Sequence, residues 1–110
     1  MSYWPATITC WGSEVVLHTL NASADSSALR DCLAALGPND ALLLIGDGAY
    51  TAIPGTPACQ SLLNTSASLY VLDSAAAARG ITTVHADITV VDGEGFVELS
   101  ERFPRHMAWY

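Results

Sequence analysis

The chain has no lysine. Its 110 residues hold four arginines against eleven aspartates and glutamates, a formal charge of -7. A subunit this acidic repels nucleic acid, so any RNA chemistry it serves needs a partner to make the RNA contact. Without lysine there is no P-loop. The dinucleotide pattern GxGxxG is also missing. Gly46-Asp47-Gly48 meets only its first three positions, with Thr51 where the last glycine would stand and an aspartate that would repel a pyrophosphate. No GxSxG elbow is present, which removes the usual frame for a serine nucleophile. The three cysteines cannot all pair within one chain and point to a reducing compartment. Cys10, Cys32 and Cys59 have neither CxxC spacing nor a His pair nearby, so no metal site is expected. No apolar run is long enough to cross a membrane, and the first 14 residues lack the basic and apolar regions of a secretory signal. A cytoplasmic protein is expected.

The pattern that remains is organised around residues 41–50, ALLLIGDGAY. Five apolar residues end at a Gly-Asp-Gly turn, which reads as a strand buried on both faces of a parallel sheet. Residues 15–20 read as the strand before it. Ser26 or Ser27 caps a helix whose apolar face is Leu29, Cys32, Leu33 and Leu36, ended by Gly37-Pro38. Residues 47–57 are a loop or a short irregular helix. Thr56 caps a two-turn helix over 57–63, with Pro57 at its first position. Residues 69–72 form a third strand. Asp73 or Ser74 caps a short helix closed by Gly80. Residues 88–91 are a fourth strand, and Asp92 caps a helix to about Arg102, with Phe96, Val97 and Leu99 turned inward and Phe103 near its end. Pro104 stops that helix, and 107–110 are a terminal strand or tail. Residues 1–14 read as an irregular extension in which 7–11 could add an edge strand. Trp4 and Trp11 there either cover the chain's own surface or help bury an interface.

Alternation of strands and helices predicts an α/β fold, with a small, mostly parallel sheet of about five strands and helices on both faces. It fits one domain over 15–110. His18 and Asp47, each placed at the end of one of two consecutive strands, are expected near the same sheet edge if those strands are neighbours. His18 reads either as a hydrogen-bonded structural imidazole or as a base; His85 falls in a loop and reads as solvated. Among the thiols, Cys32 lies on an apolar helix face late in its helix, beside Asp31, which favours an inert thiol. Cys59 lies early in its helix, where the dipole favours a thiolate. Cys10 has no readable environment.

Several stretches, in order, resemble the TusB/DsrH family. They are Leu17-His18-Thr19-Leu20-Asn21, Asp40-Ala41-Leu42-Leu43-Leu44 with Asp47-Gly48-Ala49-Tyr50, Leu69-Tyr70-Val71-Leu72 with Ala78-Arg79-Gly80, and Val91-Asp92 with Gly95-Phe96-Val97-Glu98-Leu99 and the closing Met107-Ala108-Trp109. They span residues 17–109. The chain departs from the family pattern in the 16 residues before Leu17, in His106 where a glutamine is usual, and in Gly93 where an aromatic is usual.

The resemblance implies a DsrE/F/H-like fold. It also implies a subunit of a heterohexameric sulfur-relay complex, built with TusC/DsrF-like and TusD/DsrE-like chains and served indirectly by TusA-like and TusE-like carriers. Such a complex passes persulfide sulfur towards 2-thiouridine at the tRNA wobble position, or in the Dsr branch serves sulfur oxidation. The principal sulfur-carrying cysteine belongs to the TusD/DsrE-like subunit. DsrH proteins also carry a cysteine in the first helix, where Cys32 falls, so Cys32 is a candidate persulfide carrier. The chain is expected to be a non-catalytic subunit without cofactor, metal, direct nucleic-acid contact or membrane contact. Two alternatives stand beside that reading: a DsrH-type sulfurtransferase working through Cys32, and a small-ligand module at His18 and Asp47. A homo-oligomer of the chain alone is left open.

Overall fold

A computed structural model describes residues 15–22, 26–103 and 105–110. The extension 1–14, with Trp4, Cys10, Trp11 and the edge strand expected at 7–11, lies outside the described residues, as does Pro104. Among the described residues five strands run in the order β4-β3-β2-β1-β5, and all four pairings are parallel. They are β1 (Val16–Leu20), β2 (Ala41–Leu44), β3 (Ser68–Leu72), β4 (Thr89–Val91) and β5 (Arg105–Trp109). The helices are α1 (Ser27–Ala35), α2 (Pro57–Leu63), α3 (Asp73–Ala78) and α4 (Gly93–Arg102), with a 3-10 helix over Gly46–Ala52.

The first three crossovers step the chain one way along the sheet, and the fourth carries it back past β1. A parallel crossover is right-handed, so reversing the direction changes the face. The 3-10 helix, α1, α2 and α3 accordingly pack on one face, against Leu20, Leu42, Leu44, Leu69 and Val71. Among the described residues helix α4 alone covers the other, setting Leu99 and Phe96 on Leu17, Ala41, Leu43 and Tyr70. Strand β2 lies between both layers and is buried at every position, which is why its sequence is an unbroken apolar run.

The local signals act largely as their chemistry dictates. Ser26 caps α1, accepting the Leu29 amide at 3.4 Å. Thr56 caps α2 by accepting the Cys59 amide at 3.2 Å, with Pro57 in the first turn. Asp92 caps α4 by accepting the Gly95 amide at 2.8 Å. Gly80, with φ of 69°, follows α3 in the left-handed conformation that glycine supplies at a helix end. Three details differ from the sequence reading. Asp73 is the first helical residue of α3 rather than its cap, because the cap position belongs to Leu72 and carries no side-chain bond. Val97 is 56 % exposed rather than inward. The face of α4 is set by Phe96, Leu99 and Phe103, and Val97 sits about 100° around the helix from Phe96. The last strand begins at Arg105 rather than 107, because it runs in register with the whole of β1.

The turn after β2 brings two backbones together. A Cβ on Gly48 would overlap the carbonyl oxygen of Leu20 at the end of β1, and a main-chain atom cannot rotate away. Gly48→Ala is expected to destabilise the fold by about 1–3 kcal/mol, read as a lowered urea midpoint with an unchanged m-value. A loss under roughly 0.5 kcal/mol would show that this turn is not tightly apposed.

Candidate functional site

The polar centre of the molecule lies between the start of β2 and the end of β5. Alternation along β1 turns Leu17 to the α4 face and His18 to the α1 face. His18 is 2 % exposed. Its Nε2 is 3.0 Å from Oδ2 of Asp40, the residue just before β2. On the other side the indole Nε1–H of Trp109 donates to His18 Nδ1 at 3.1 Å, with 6.3 Å between the ring centroids and 17° between the ring planes. An indole nitrogen can only donate, so Nδ1 bears no proton here, and Nε2–H is the hydrogen directed at Asp40. The ring is therefore the neutral Nε2–H tautomer.

Asp40 also accepts the Gly37 amide at 2.8 Å on Oδ2 and the Val16 amide at 3.0 Å on Oδ1. One carboxylate thus ties the end of the α1–β2 turn to the start of β1. Burial pushes this carboxyl up, but the Gly37 amide, the His18 ring and the Val16 amide outweigh it and hold it below the usual aspartate value of 3.8. A carboxyl lowered in the folded state contributes stability that is present above its ordinary value and lost as pH falls through the depressed one. The free energy of unfolding should therefore fall as pH drops below about 4, and Asp40→Asn should lack that share of the decline in an acid titration followed by circular dichroism. An unchanged acid limb in Asp40→Asn would show that other carboxyls carry it.

His18 and Asp47 are not brought together. His18 is in mid-strand, engaged by Asp40 and Trp109, whereas Asp47 lies beyond the carboxyl end of β2. The Asp47 amide donates to Asn21 Oδ1 at 3.3 Å. Its carboxylate accepts Arg79 Nε at 3.1 Å and a terminal guanidinium nitrogen at 3.0 Å. That pair is solvent-exposed and holds α3 to the 3-10 helix without enclosing a ligand. His85 Nδ1 accepts the Asp87 amide within its own loop. His106 Nε2 lies 3.1 Å from the Ser100 carbonyl and 2.9 Å from that of Phe103, which ties β5 to the end of α4.

The two described thiols are both shut away. Cys32 is 0 % exposed on the inner face of α1, and burial pushes its thiol up to about 12. Cys59 is 1 % exposed, and burial raises it as well. The helix-end position of Cys59 thus does not make it an open thiolate, because the packing around α2 removes the thiol from solvent. Among the described residues no group of three or more His, Cys, Asp or Glu could hold a metal ion, and no helix is long and apolar enough to cross a membrane.

Sequence reading missed Asp40 and Trp109 as partners of His18. Asp40 stood out only as part of a stretch resembling the family, and its role depends on the register that sets Leu17 beside Ala41. The signal available was a buried-looking histidine and a carboxylate flanking two consecutive strands.

Comparison with known proteins places the fold and the family. A family model described as "DsrH like protein" matches residues 22–106. "Protein TusB" of Escherichia coli (strain K12) is 36 % identical over 95 residues, covering 86 % of this chain and 100 % of the relative. "Protein TusB" of Erwinia tasmaniensis is 36 % identical and that of Pectobacterium parmentieri 34 %, each with the same coverage. Among solved structures, the crystal structure of the ychN protein from E. coli superposes with a TM-score of 0.66. That likeness covers 86 % of this chain and 97 % of that one at 13 % identity, so it is one of fold alone. With the family match running from just after β1 into β5, and relatives similar along their whole length, the chain belongs to the TusB/DsrH family.

Proposed function

We propose that the chain is a subunit of a multi-protein sulfur-relay complex that contributes structure and contact surface rather than a sulfur-carrying thiol at Cys32 or Cys59. The observation that carries this reading is the burial of Cys32 and Cys59 under raised pKa values. A persulfide is formed and passed on by an accessible thiolate, and both requirements are missing at these two sites. The assembly it joins holds TusC/DsrF-like and TusD/DsrE-like subunits, with TusA-like and TusE-like carriers bringing and removing the sulfur. The product is 2-thiouridine at the tRNA wobble position, supported by the similarity to proteins named TusB at 34–36 % identity. The charge of -7 fits a chain that leaves RNA to its partners.

Intact mass after exposure to a persulfide donor tests the role of the thiols. The folded chain should gain no sulfur at Cys32 or Cys59, while the chain in denaturant should gain it at both. A sulfur atom on the folded wild type that disappears only in Cys32→Ser would make Cys32 a carrier and overturn the structural reading. Thiouridine content of tRNA from cells lacking the chain tests the pathway. It should fall sharply and be restored by the chain with Cys32→Ala, and unchanged thiouridine would remove tRNA as the destination.

A further inference from the structure

The bonds around His18 make opposite demands on its charge. Asp40 accepts from Nε2 and would hold a positive ring as well as a neutral one. Trp109 needs a lone pair on Nδ1. A second proton on the ring lands at Nδ1, where it faces the indole N–H at a spacing now occupied by one hydrogen. Two donors cannot share that line, so the indole bond breaks while the contact with Asp40 becomes a full ion pair.

We propose that Asp40, His18 and Trp109 form a proton-operated latch on the end of β5: a proton taken from solvent at His18 Nδ1 releases the Trp109 indole and leaves the imidazolium held by Asp40. Trp109 is placed to leave. It closes the edge strand, it is only half-buried, and Tyr110 beyond it is 82 % exposed. The backbone of β5 stays joined, through its pairing with β1 and the Asn21 amide on the Trp109 carbonyl at 2.8 Å. The released state therefore differs in the side chain at the sheet's end and in the apolar surface it uncovers.

Among the described residues no other charge faces the ring. The β5 residue opposite His18 is Met107, and the exposed Arg105 lies two positions along that strand. Helix α1, on the same side of the sheet, turns Arg30 and Asp31 outward and presents the uncharged thiol of Cys32. Among the described residues Asp40 is the one ionised group in contact with the ring.

The test uses the full chain labelled with the heavy nitrogen isotope. A nitrogen-to-nitrogen hydrogen bond transmits a scalar coupling between its two nuclei, so the bond between Trp109 Nε1 and His18 Nδ1 can be read directly. The coupling is expected while Nδ1 carries no proton, and it should vanish in step with the shift of Nδ1 to its protonated position as the sample is acidified. His85 and His106 are internal controls. In His18→Gln the indole signal should lose its pH dependence. The proposal is overturned by a coupling absent before acidification, by one that survives protonation of Nδ1, by a ring that takes no second proton while the chain stays folded, or by an indole response that persists in His18→Gln. Because the wild-type titration reads the bond itself, the proposal stays testable even if the variant fails to fold.

Discussion

Replacing Asp40 with alanine is expected to lower the free energy of unfolding by about 3–5 kcal/mol. The substitution removes one carboxylate and strands three donors: the Gly37 amide, the Val16 amide and the His18 ring. Each orphaned buried donor costs about 1–3 kcal/mol, and a shallow depression beside Val16, Gly37 and Asp40 lets water recover part of that. Asp40→Asn should cost less, about 1–3 kcal/mol, because its remaining oxygen still accepts while its amide group turns donors towards donors. Urea denaturation of the two variants gives both numbers. A loss for Asp40→Ala below roughly 1 kcal/mol would mean that water satisfies the three donors and the carboxylate is dispensable to the fold.

The second large effect is expected at Leu42. Leu42→Ala should destabilise by about 2–5 kcal/mol, towards the upper part of that range. The cost has two parts, the lost transfer of the side chain from water and the cavity left behind. The second part depends on how far the surroundings can collapse. Leu42 is fully buried in the central strand, paired to β1 on one side and β3 on the other, with helices over both faces of the sheet. A backbone held on four sides cannot move into a void. Val97→Ala on the exposed side of α4 is the control and should change stability by no more than about 0.5 kcal/mol. If the two variants cost the same, the division of the molecule into a β2-centred core and an outer α4 surface is wrong.

How far the chain could be read in advance follows from how local each signal is. The run 41–45, the caps at Ser26, Thr56 and Asp92, and Gly80 act within a few residues, so the strand and helix order was legible from them. Val97 was misread because Phe96, Val97 and Leu99 are all apolar, and a short helix carries too few turns to fix the phase of its inner face. Cys59 was misread because a helix-end dipole is visible in sequence while the packing that buries the thiol is not. The polar centre was out of reach for a related reason. Asp40 meets His18 only because β1 and β2 are neighbours in one register, and Trp109 reaches the same ring from 91 residues away.

That separation bears on how the chain is made. Strand β1 leaves the ribosome before the other strands of this sheet, and one of its two neighbours is synthesised about ninety residues later. Until then β1 is an edge, with Leu17 and Leu20 beside open backbone donors and acceptors, the arrangement that invites pairing with another chain. A nascent chain stalled anywhere in α4 would therefore be sticky although most of its helices could already be in place. Contacts this distant in sequence also slow closure of the sheet, so the edge of β1 stays open until β5 arrives.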